Sequence, residues 1–223
     1  MLTFGDCAQS CRWGYNVYVE EANKPGNLMP VEYGKEGTHI FSSKDLCLIK
    51  EIPEIFELGV DSLKIEGRLK TEYYLSTIVN TYRCAIDDYV KDPVNYDYTK
   101  YMNEIEKTKT RGLTTFYFND RNNKDFQEYD GKQYNLEYEY AGKVVEYNED
   151  KSIIEIKNKL KVGDNLELIV PGKIETDKFV IENLWDEETG EEINMINPGR
   201  AEQKVKIHIP VIAEKNWILR RKK

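Results

Sequence analysis

The order of predicted strands and helices between residues 38 and 90 constrains the fold of this chain more than any other feature of its sequence. Strands are predicted over Thr38 to Phe41, which is apolar and β-prone, and over Val60 to Glu66, whose residues alternate in polarity. Apolar residues at helical spacing predict helices ahead of Gly59 and over residues 72 to 90. The order strand, helix, strand, helix is typical of a parallel α/β sheet or barrel, but a closed eight-stranded barrel needs about 250 residues. We therefore expect either a fragment of a larger protein or a chain that associates to complete its sheet.

The second half of the chain predicts a different, all-β architecture. From about Glu139 onward, short β-prone runs are separated by Gly, Asn, Asp or Pro, which is typical of a small antiparallel barrel or sandwich. A hairpin is predicted near the start, where residues 15 to 21 and 29 to 33 flank a turn at Lys24 to Asn27. We divide the chain into residues 1–92, a connecting segment at 93–138 that includes a polar helix near 99–109, and a β-domain at 139–223. The predicted β-domain strands are Ala141 to Tyr147, Ser152 to Lys157, Asn165 to Val170, Phe179 to Trp185, Glu192 to Met195 and Lys204 to Ile209.

The charge balance argues against a broadly basic nucleic-acid-binding surface. The formal net charge is −8, with 32 basic and 40 acidic residues. The basic end at Arg220 to Lys223 is interpreted as solvated and frayed, with a local basic patch as the alternative. No apolar run approaches the roughly 20 residues that span a bilayer, and the first residues do not resemble a signal peptide. We expect a cytoplasmic protein whose cysteines are thiols or metal ligands.

Three of the four cysteines are candidate metal ligands. Cys7 and Cys11 have a spacing that occurs in zinc sites, and Cys47 lies at the carboxyl end of a predicted strand, where barrel active sites gather. Soft thiolates select zinc or iron-sulfur centres; the alternative is buried free thiols. Cys84 lies half a turn away from the apolar stripe of its helix and is interpreted as incidental.

The strand at residues 60 to 66 carries the candidate polar site. Lys64 and Glu66 share one face, and Arg68 follows the strand, so the three charges are expected around one pocket. That arrangement suits binding of an anionic substrate, or general acid-base chemistry by Glu66. The alternative is a structural ion pair inside the barrel. Arg111 could bind a phosphate or carboxylate, although an ordinary loop arginine is an equal interpretation.

Four blocks of sequence carry a resemblance to the collagenase-like peptidase U-32 family, in the family's order and approximate spacing. The resemblance implies a TIM-like barrel, whose seventh and eighth strands would be residues 38–41 and 60–66, followed by a β-barrel similar to the second domain of translation factors. The family's first six barrel strands and its upstream cysteine-rich signature are not in this sequence, so we expect a split or truncated reading frame. The blocks are Phe4 to Trp13, Ser42 to Cys47, Gly59 to Lys70 and Thr110 to Thr115.

The resemblance also implies a function. Members of this family are implicated in hydroxylating a uridine of tRNA or a cytidine of rRNA, which implies an RNA substrate, an iron-sulfur cluster (with zinc or no metal as alternatives) and prephenate as a co-substrate. A second hypothesis for the function is a collagenase-like peptidase acting on peptides, although the sequence shows no Ser-His-Asp, Cys-His or His-Glu-x-x-His arrangement. The third is an inactive fragment or an interaction module, active only with a separate chain that carries the missing strands. The site residues expected are catalytic Glu66 and Lys64, substrate-binding Arg68, Arg111 and Lys44, and metal-binding Cys7, Cys11 and Cys47.

Overall fold

The computed structural model describes two packed layers, one helical and one made of β-strands. Its described residues are 44–108, 110, 112–119, 137–199 and 202–223, with 13, 15, 18–20, 25–26 and the backbone of 28–30. Within these ranges no helix combines the length and the hydropathy that crossing a bilayer requires. Near the start, β1 (Tyr18–Glu20) pairs antiparallel with β2 (Leu28–Pro30) across the turn at Pro25 and Gly26, which confirms the predicted hairpin.

The helical layer contains α1 (Ile52–Glu57), α2 (Glu72–Lys91) and α3 (Thr99–Ile105). Proline is tolerated in the first turn of a helix, and Pro53 lies at the start of α1. Gly59 follows α1 with φ +68°, a conformation that favours glycine. Thr71 caps α2 by accepting a hydrogen bond from the Tyr74 amide at 3.2 Å. The predicted helix over residues 72 to 90 is confirmed.

The buried face of α2 differs from the predicted apolar stripe. The helix buries Thr77, Thr81, Cys84 and Ala85, and Cys84 lies in one hydrophobic cluster with Tyr101 of α3. Cys84 is therefore a core residue, because α3 covers the face that the helical periodicity assigned to solvent. Most of the predicted stripe is only partly buried, and Val79 is 50% exposed. The stripe consists of Leu75, Ile78, Val79, Tyr82, Ile86 and Tyr89.

The strand predicted over residues 60 to 66 is not formed. These residues carry no backbone ladder to any described segment, and most of them are exposed. An extended segment becomes a strand only when a neighbour supplies hydrogen-bond partners, and the predicted neighbour, residues 38 to 41, lies outside the described residues. Parallel pairing occurs instead between β3 (Asp45–Leu46) and β4 (Leu113–Thr114).

The β-layer is an eight-stranded antiparallel sheet that curls around an apolar core, which confirms the predicted all-β second half. In the described part of the chain its edge strands, β9 and β11, are not paired with each other, so the sheet is a half-barrel rather than a closed barrel. A separate pair, β7 (Leu160–Lys161) and β12 (Met195–Ile196), packs beside it. The strands of the large sheet, in spatial order, are β11 (Glu192–Ile193), β10 (Leu184–Asp186), β13 (Lys204–Ile207), β6 (Ser152–Ile156), β5 (Tyr138–Glu146), β14 (Ile218–Lys222), β8 (Asn165–Ile169) and β9 (Asp177–Val180).

The basic end of the chain was predicted as a frayed tail or a basic patch, and the structure overturns both interpretations. Strand β14 lies inside the sheet between β5 and β8, and the Arg220 side chain is fully buried. The Arg220 Nε donates to Glu167 Oε2 at 2.8 Å, and Nη2 donates to Glu104 Oε2 at 3.1 Å. A buried guanidinium is stable there because two carboxylates neutralise it and accept its hydrogen bonds.

The same network fastens the helical layer to the sheet, and we call it the arginine seam: Arg220, Glu104 of α3 and Glu167 of β8. Burial opposes ionisation of Glu167, but the attraction and hydrogen bond of Arg220 outweigh it, so the pKa of Glu167 lies below its ordinary value. Beside the seam, the rings of Tyr73 and Tyr140 stack with centroids 6.1 Å apart. The segment at 93–138 thus contributes α3 and its seam carboxylate to the junction between the two layers.

Candidate functional site

A cavity of about 940 Å³ lies between α2 and the extended segment that follows α1, and we call it the groove. Its walls are residues 60 to 70 and residues 44 to 46. Its floor is apolar, with Ile55 and Phe56 from α1, and Ile78, Tyr82 and Ile86 from α2. Its rim is charged. An apolar interior with convergent polar groups at its edge is the usual form of a small-molecule or cofactor site.

Local contacts fix the extended segment over the groove. The Val60 amide bonds to the Ile55 carbonyl at 3.3 Å, and the Lys70 amide bonds to the Gly67 carbonyl at 2.9 Å. Gly67 passes close to the Leu75 side chain, since a Cβ built on this glycine would meet Leu75 Cδ2 at 2.1 Å. A side chain at residue 67 would therefore displace either the Leu75 side chain or the segment itself.

An ion pair between Asp45 and Lys70 joins the two walls of the groove, residues 44 to 46 and residues 60 to 70. Lys70 Nζ lies 2.9 Å from Asp45 Oδ2 and 4.6 Å from the centroid of the Tyr74 ring. Burial, together with the nearby Asp45 charge, raises the pKa of Tyr74 to about 12. Sequence reasoning missed this pair, because the partners are 25 residues apart and only the packing of β3 beside the start of α2 brings them together.

The charges predicted to share one pocket do line the groove. Lys64, Glu66 and Arg68 are all exposed at its rim. Glu66 Oε1 accepts a hydrogen bond from the Arg68 amide at 2.8 Å. Between described residues, neither Lys64 nor the Arg68 guanidinium forms an ion pair, so the expected structural ion pair is not seen there. The two cations are open to an anion from solvent.

The remaining predicted substrate-binding residues are Lys44 and Arg111. Lys44 lines the groove where β3 begins. Arg111 lies outside the described residues, and its neighbour Gly112 accepts a hydrogen bond from the Asp45 amide at 2.8 Å.

Cys47 is the one predicted metal ligand that falls within the described residues; Cys7 and Cys11 lie outside them. Its backbone amide bonds to the Thr114 carbonyl at 2.9 Å, and its thiol lies 3.8 Å from the Tyr82 hydroxyl. The side chain is buried beside Ile49 and Ile52, and burial raises the pKa of the thiol. In the described ranges, no three His, Cys, Asp or Glu side chains are close enough together to hold a metal ion.

Comparison with known proteins places these features in a family. The model of peptidase family U32 matches residues 3–128, and the model of the peptidase family U32 C-terminal domain matches residues 136–220. The tRNA hydroxylation protein P1 of Bacillus subtilis is 37% identical over 191 residues, which cover 84% of this chain and 44% of the relative. The tRNA hydroxylation protein P of Escherichia coli is 30% identical over 255 aligned positions, covering 96% of this chain and 54% of the relative.

A third relative carries a different name. The collagenase of Porphyromonas gingivalis is 25% identical over 209 residues, covering 92% of this chain and 47% of the relative. This chain spans about half the length of the curated relatives that it matches. The two family models together cover most of its residues, in the order of the helical layer and then the sheet. The chain therefore belongs to peptidase family U32.

Proposed function

We propose that this chain is part of an enzyme that hydroxylates a uridine of tRNA, or a cytidine of rRNA. The observation that carries the proposal is the similarity to tRNA hydroxylation proteins over 84% and 96% of this chain. The cationic rim of the groove supports it, because a nucleotide substrate is anionic. A cytoplasmic location, which is the expectation from the sequence, is consistent with a tRNA substrate.

The predicted site residues have separable roles in this proposal. Arg68, Lys44 and Arg111 bind anionic oxygens of the substrate, since a guanidinium can hold a phosphate or carboxylate through two hydrogen bonds. Glu66 and Lys64 act in proton transfer at the groove rim. Prephenate carries two negatively charged carboxylates, so this cationic rim would attract it as a co-substrate.

The exposed apolar side chains around the groove support a further polypeptide in the active enzyme. Leu46, Leu58 and Val60 are exposed near the groove. Apolar surface of this kind marks a contact with another segment of protein. We propose that the part of the family protein that these 223 residues do not cover, including the six other barrel strands, packs here, on the same chain or on a separate one.

We retain an iron-sulfur cluster on Cys7, Cys11 and Cys47 as a proposal, with zinc as the alternative. A thiolate is the ligand that such a centre needs, and burial holds the Cys47 thiol in its protonated form, so the metal would have to displace that proton. A bound cluster would supply one-electron chemistry. Anaerobic purification followed by iron, sulfide and zinc analysis tests the assignment. Metal-free protein in which Cys47 remains a titratable thiol would refute it.

The proposed function is tested by deleting the gene and digesting tRNA and rRNA to nucleosides for mass spectrometry. We expect one hydroxylated pyrimidine nucleoside to disappear and the wild-type gene to restore it. Glu66→Gln should fail to restore it, whereas Asp61→Asn should succeed; both are exposed carboxylates on the same groove wall, which makes the second variant a matched control. Unchanged tRNA and rRNA nucleosides in the deletion strain would refute the proposal.

The collagenase name of one relative gives a second candidate, hydrolysis of peptide bonds. Among the described residues, the buried Cys47 thiol lies beside the Tyr82 hydroxyl and His208 Nδ1 bonds to the Glu149 carbonyl at 2.9 Å, and no hydrogen bond joins Cys47 to His208 as a nucleophile and its base. Release of new amino termini from denatured collagen by the purified protein, with unchanged RNA nucleosides, would favour this candidate.

A further inference from the structure

The groove wall that carries Glu66 and Arg68 is the extended segment at residues 60 to 70, and few backbone contacts hold it in place. Its residues 60 to 66 form no ladder with any described strand. Its backbone hydrogen bonds to described backbone groups lie at its two ends, from the Val60 amide to Ile55 and from the Lys70 amide to Gly67. A segment with so few backbone hydrogen bonds depends on side-chain contacts for its position.

The other groove wall, at residues 44 to 46, is held by a strand ladder. Strand β3 pairs in parallel with β4, which places Asp45 opposite Leu113. The Asp45 amide donates to the Gly112 carbonyl at 2.8 Å, and the Cys47 amide donates to the Thr114 carbonyl at 2.9 Å. The Asp45 carboxylate therefore extends from a backbone that is fixed on both sides of it.

The ion pair between Asp45 and Lys70 fastens the end of the extended segment to this fixed strand. Lys70 Nζ donates to both carboxylate oxygens of Asp45, to Oδ2 at 2.9 Å and to Oδ1 at 3.2 Å. The Lys70 side chain is 28% exposed and that of Asp45 only 14%, so water screens this pair less than it screens an ion pair on the open surface.

Short-range hydrogen bonds connect Lys70 to the candidate site residues. The Lys70 amide donates to the Gly67 carbonyl at 2.9 Å and closes a turn that contains Arg68. The Arg68 amide in turn donates to Glu66 Oε1 at 2.8 Å. A shift of Lys70 would therefore move the backbone of Arg68 and, through that hydrogen bond, the carboxylate of Glu66.

We propose that Asp45 and Lys70 are positioning residues of the groove: their ion pair holds the extended segment against β3, so that Glu66 and Arg68 keep their places at the groove rim. This role rests on the proposed function, since it takes Glu66 and Arg68 to act on the RNA nucleotide in the groove. A small displacement of such groups is costly, because binding and proton transfer both require the reacting groups to be in contact distance.

The Asp45→Ala variant separates positioning from simple charge. It removes a negative charge from the groove, which by electrostatics alone would strengthen binding of an anionic RNA. The positioning role predicts the opposite, a roughly ten-fold weaker affinity, because Arg68 is no longer held at the rim. The measurement is the fluorescence anisotropy of dye-labelled tRNA from the deletion strain, titrated with the full chain.

Asp61→Ala is the matched control for this titration. It removes the same charge from the groove, but Asp61 is exposed and forms no ion pair with a described residue. We expect its affinity for the tRNA to equal that of wild type or to exceed it slightly. An affinity of Asp45→Ala as high as that of Asp61→Ala would overturn the positioning role.

Hydrogen exchange, followed by NMR on the purified chain, reports the position of the segment directly. In Asp45→Ala the amides of Arg68 and Lys70 should exchange about five-fold faster, whereas the Val60 amide at the other end should keep its rate. Lys70→Met should have the same effect, and the double variant should exchange no faster than either single variant, because both changes remove one interaction. Unchanged exchange in Asp45→Ala, or additive effects in the double variant, would overturn the proposal.

Failure of this inference and failure of the proposed function are distinguishable. If gene deletion removes the hydroxylated nucleoside and the Asp45→Ala gene restores it as fully as the Asp61→Ala gene does, the positioning role alone is refuted. If deletion leaves the RNA nucleosides unchanged, the proposed function is refuted, while the exchange rates still decide whether the ion pair holds the extended segment.

Discussion

Replacing Arg220 with alanine should cost this protein a large share of its stability. The side chain is 0% exposed, and its partners Glu104 and Glu167 are 5% and 10% exposed. Removing one partner of a buried ionic network leaves uncompensated buried charge, which destabilises proteins by about 3–5 kcal/mol. Here Glu104 keeps Lys107 at 2.7 Å and Glu167 keeps Lys178 at 3.4 Å, so we expect a loss near the middle of that range, about 4 kcal/mol.

Urea unfolding followed by circular dichroism measures this loss. With a denaturant slope of about 2 kcal/mol per molar, Arg220→Ala should lower the unfolding midpoint by about 2 M. Lys222→Ala is the matched control, because Lys222 lies on the same strand and pairs with Glu137 at the surface, 3.0 Å away, with both side chains more than 60% exposed. We expect no measurable change for that variant.

A combined variant separates charge from packing. Arg220→Met together with Glu104→Gln and Glu167→Gln removes all three charges and keeps similar volumes, so it should regain most of the stability lost in Arg220→Ala. A midpoint for Arg220→Ala that falls no further than that of Lys222→Ala would refute the reasoning. So would a combined variant less stable than Arg220→Ala.

Three further predictions follow from the packing. The pKa of Glu167 is lowered, so the stability that its carboxylate contributes is fully present above the ordinary carboxyl pKa of 4.5 and is lost as the pH falls through the lowered value. The urea midpoint of wild type should therefore drop more steeply below about pH 4.5 than that of Arg220→Ala. Gly142→Ala should cost about 1–3 kcal/mol in thermal unfolding, since its Cβ would lie 2.5 Å from a backbone oxygen of the neighbouring strand, whereas Gly199→Ala, with nothing closer than 3.5 Å, should change little. Asn80→Leu should speed hydrogen exchange of the Gly172 backbone amide, which donates to the Asn80 side chain in wild type. An unchanged exchange rate of that amide would contradict the hydrogen bond.

Features set by neighbouring residues could be predicted from the sequence. The α2 helix follows from apolar spacing and from Thr71 as its cap. The antiparallel strands follow from short β-prone runs between turns, although the predicted strand at Phe179 to Trp185 is divided between β9 and β10. The shared position of Lys64 and Glu66 at the groove follows from alternation along an extended segment.

Features set by distant partners could not be predicted. The basic residue Arg220 is buried because of carboxylates 53 and 116 positions away, and no local pattern carries that information. The apolar stripe of α2 is for the most part only partly buried, because periodicity shows that a helix has an apolar face but not which neighbour covers it. The segment at residues 60 to 66 has the sequence of a strand, and its backbone still requires a partner before it can form one.

The position of β14 has a consequence for the order in which this protein can fold during synthesis. This strand is made after every other strand of the sheet, yet it pairs with both β5 and β8 and brings Arg220 to Glu104. Domains generally fold as units as they leave the ribosome. Until residues 218 to 222 have emerged, β5 and β8 lack a shared neighbour and the carboxylates of the arginine seam lack their cation. Docking of the helical layer onto the sheet is therefore a late event in synthesis, and a ribosome that stalls before Arg220 would hold two layers without the buried guanidinium that joins Glu104 to Glu167.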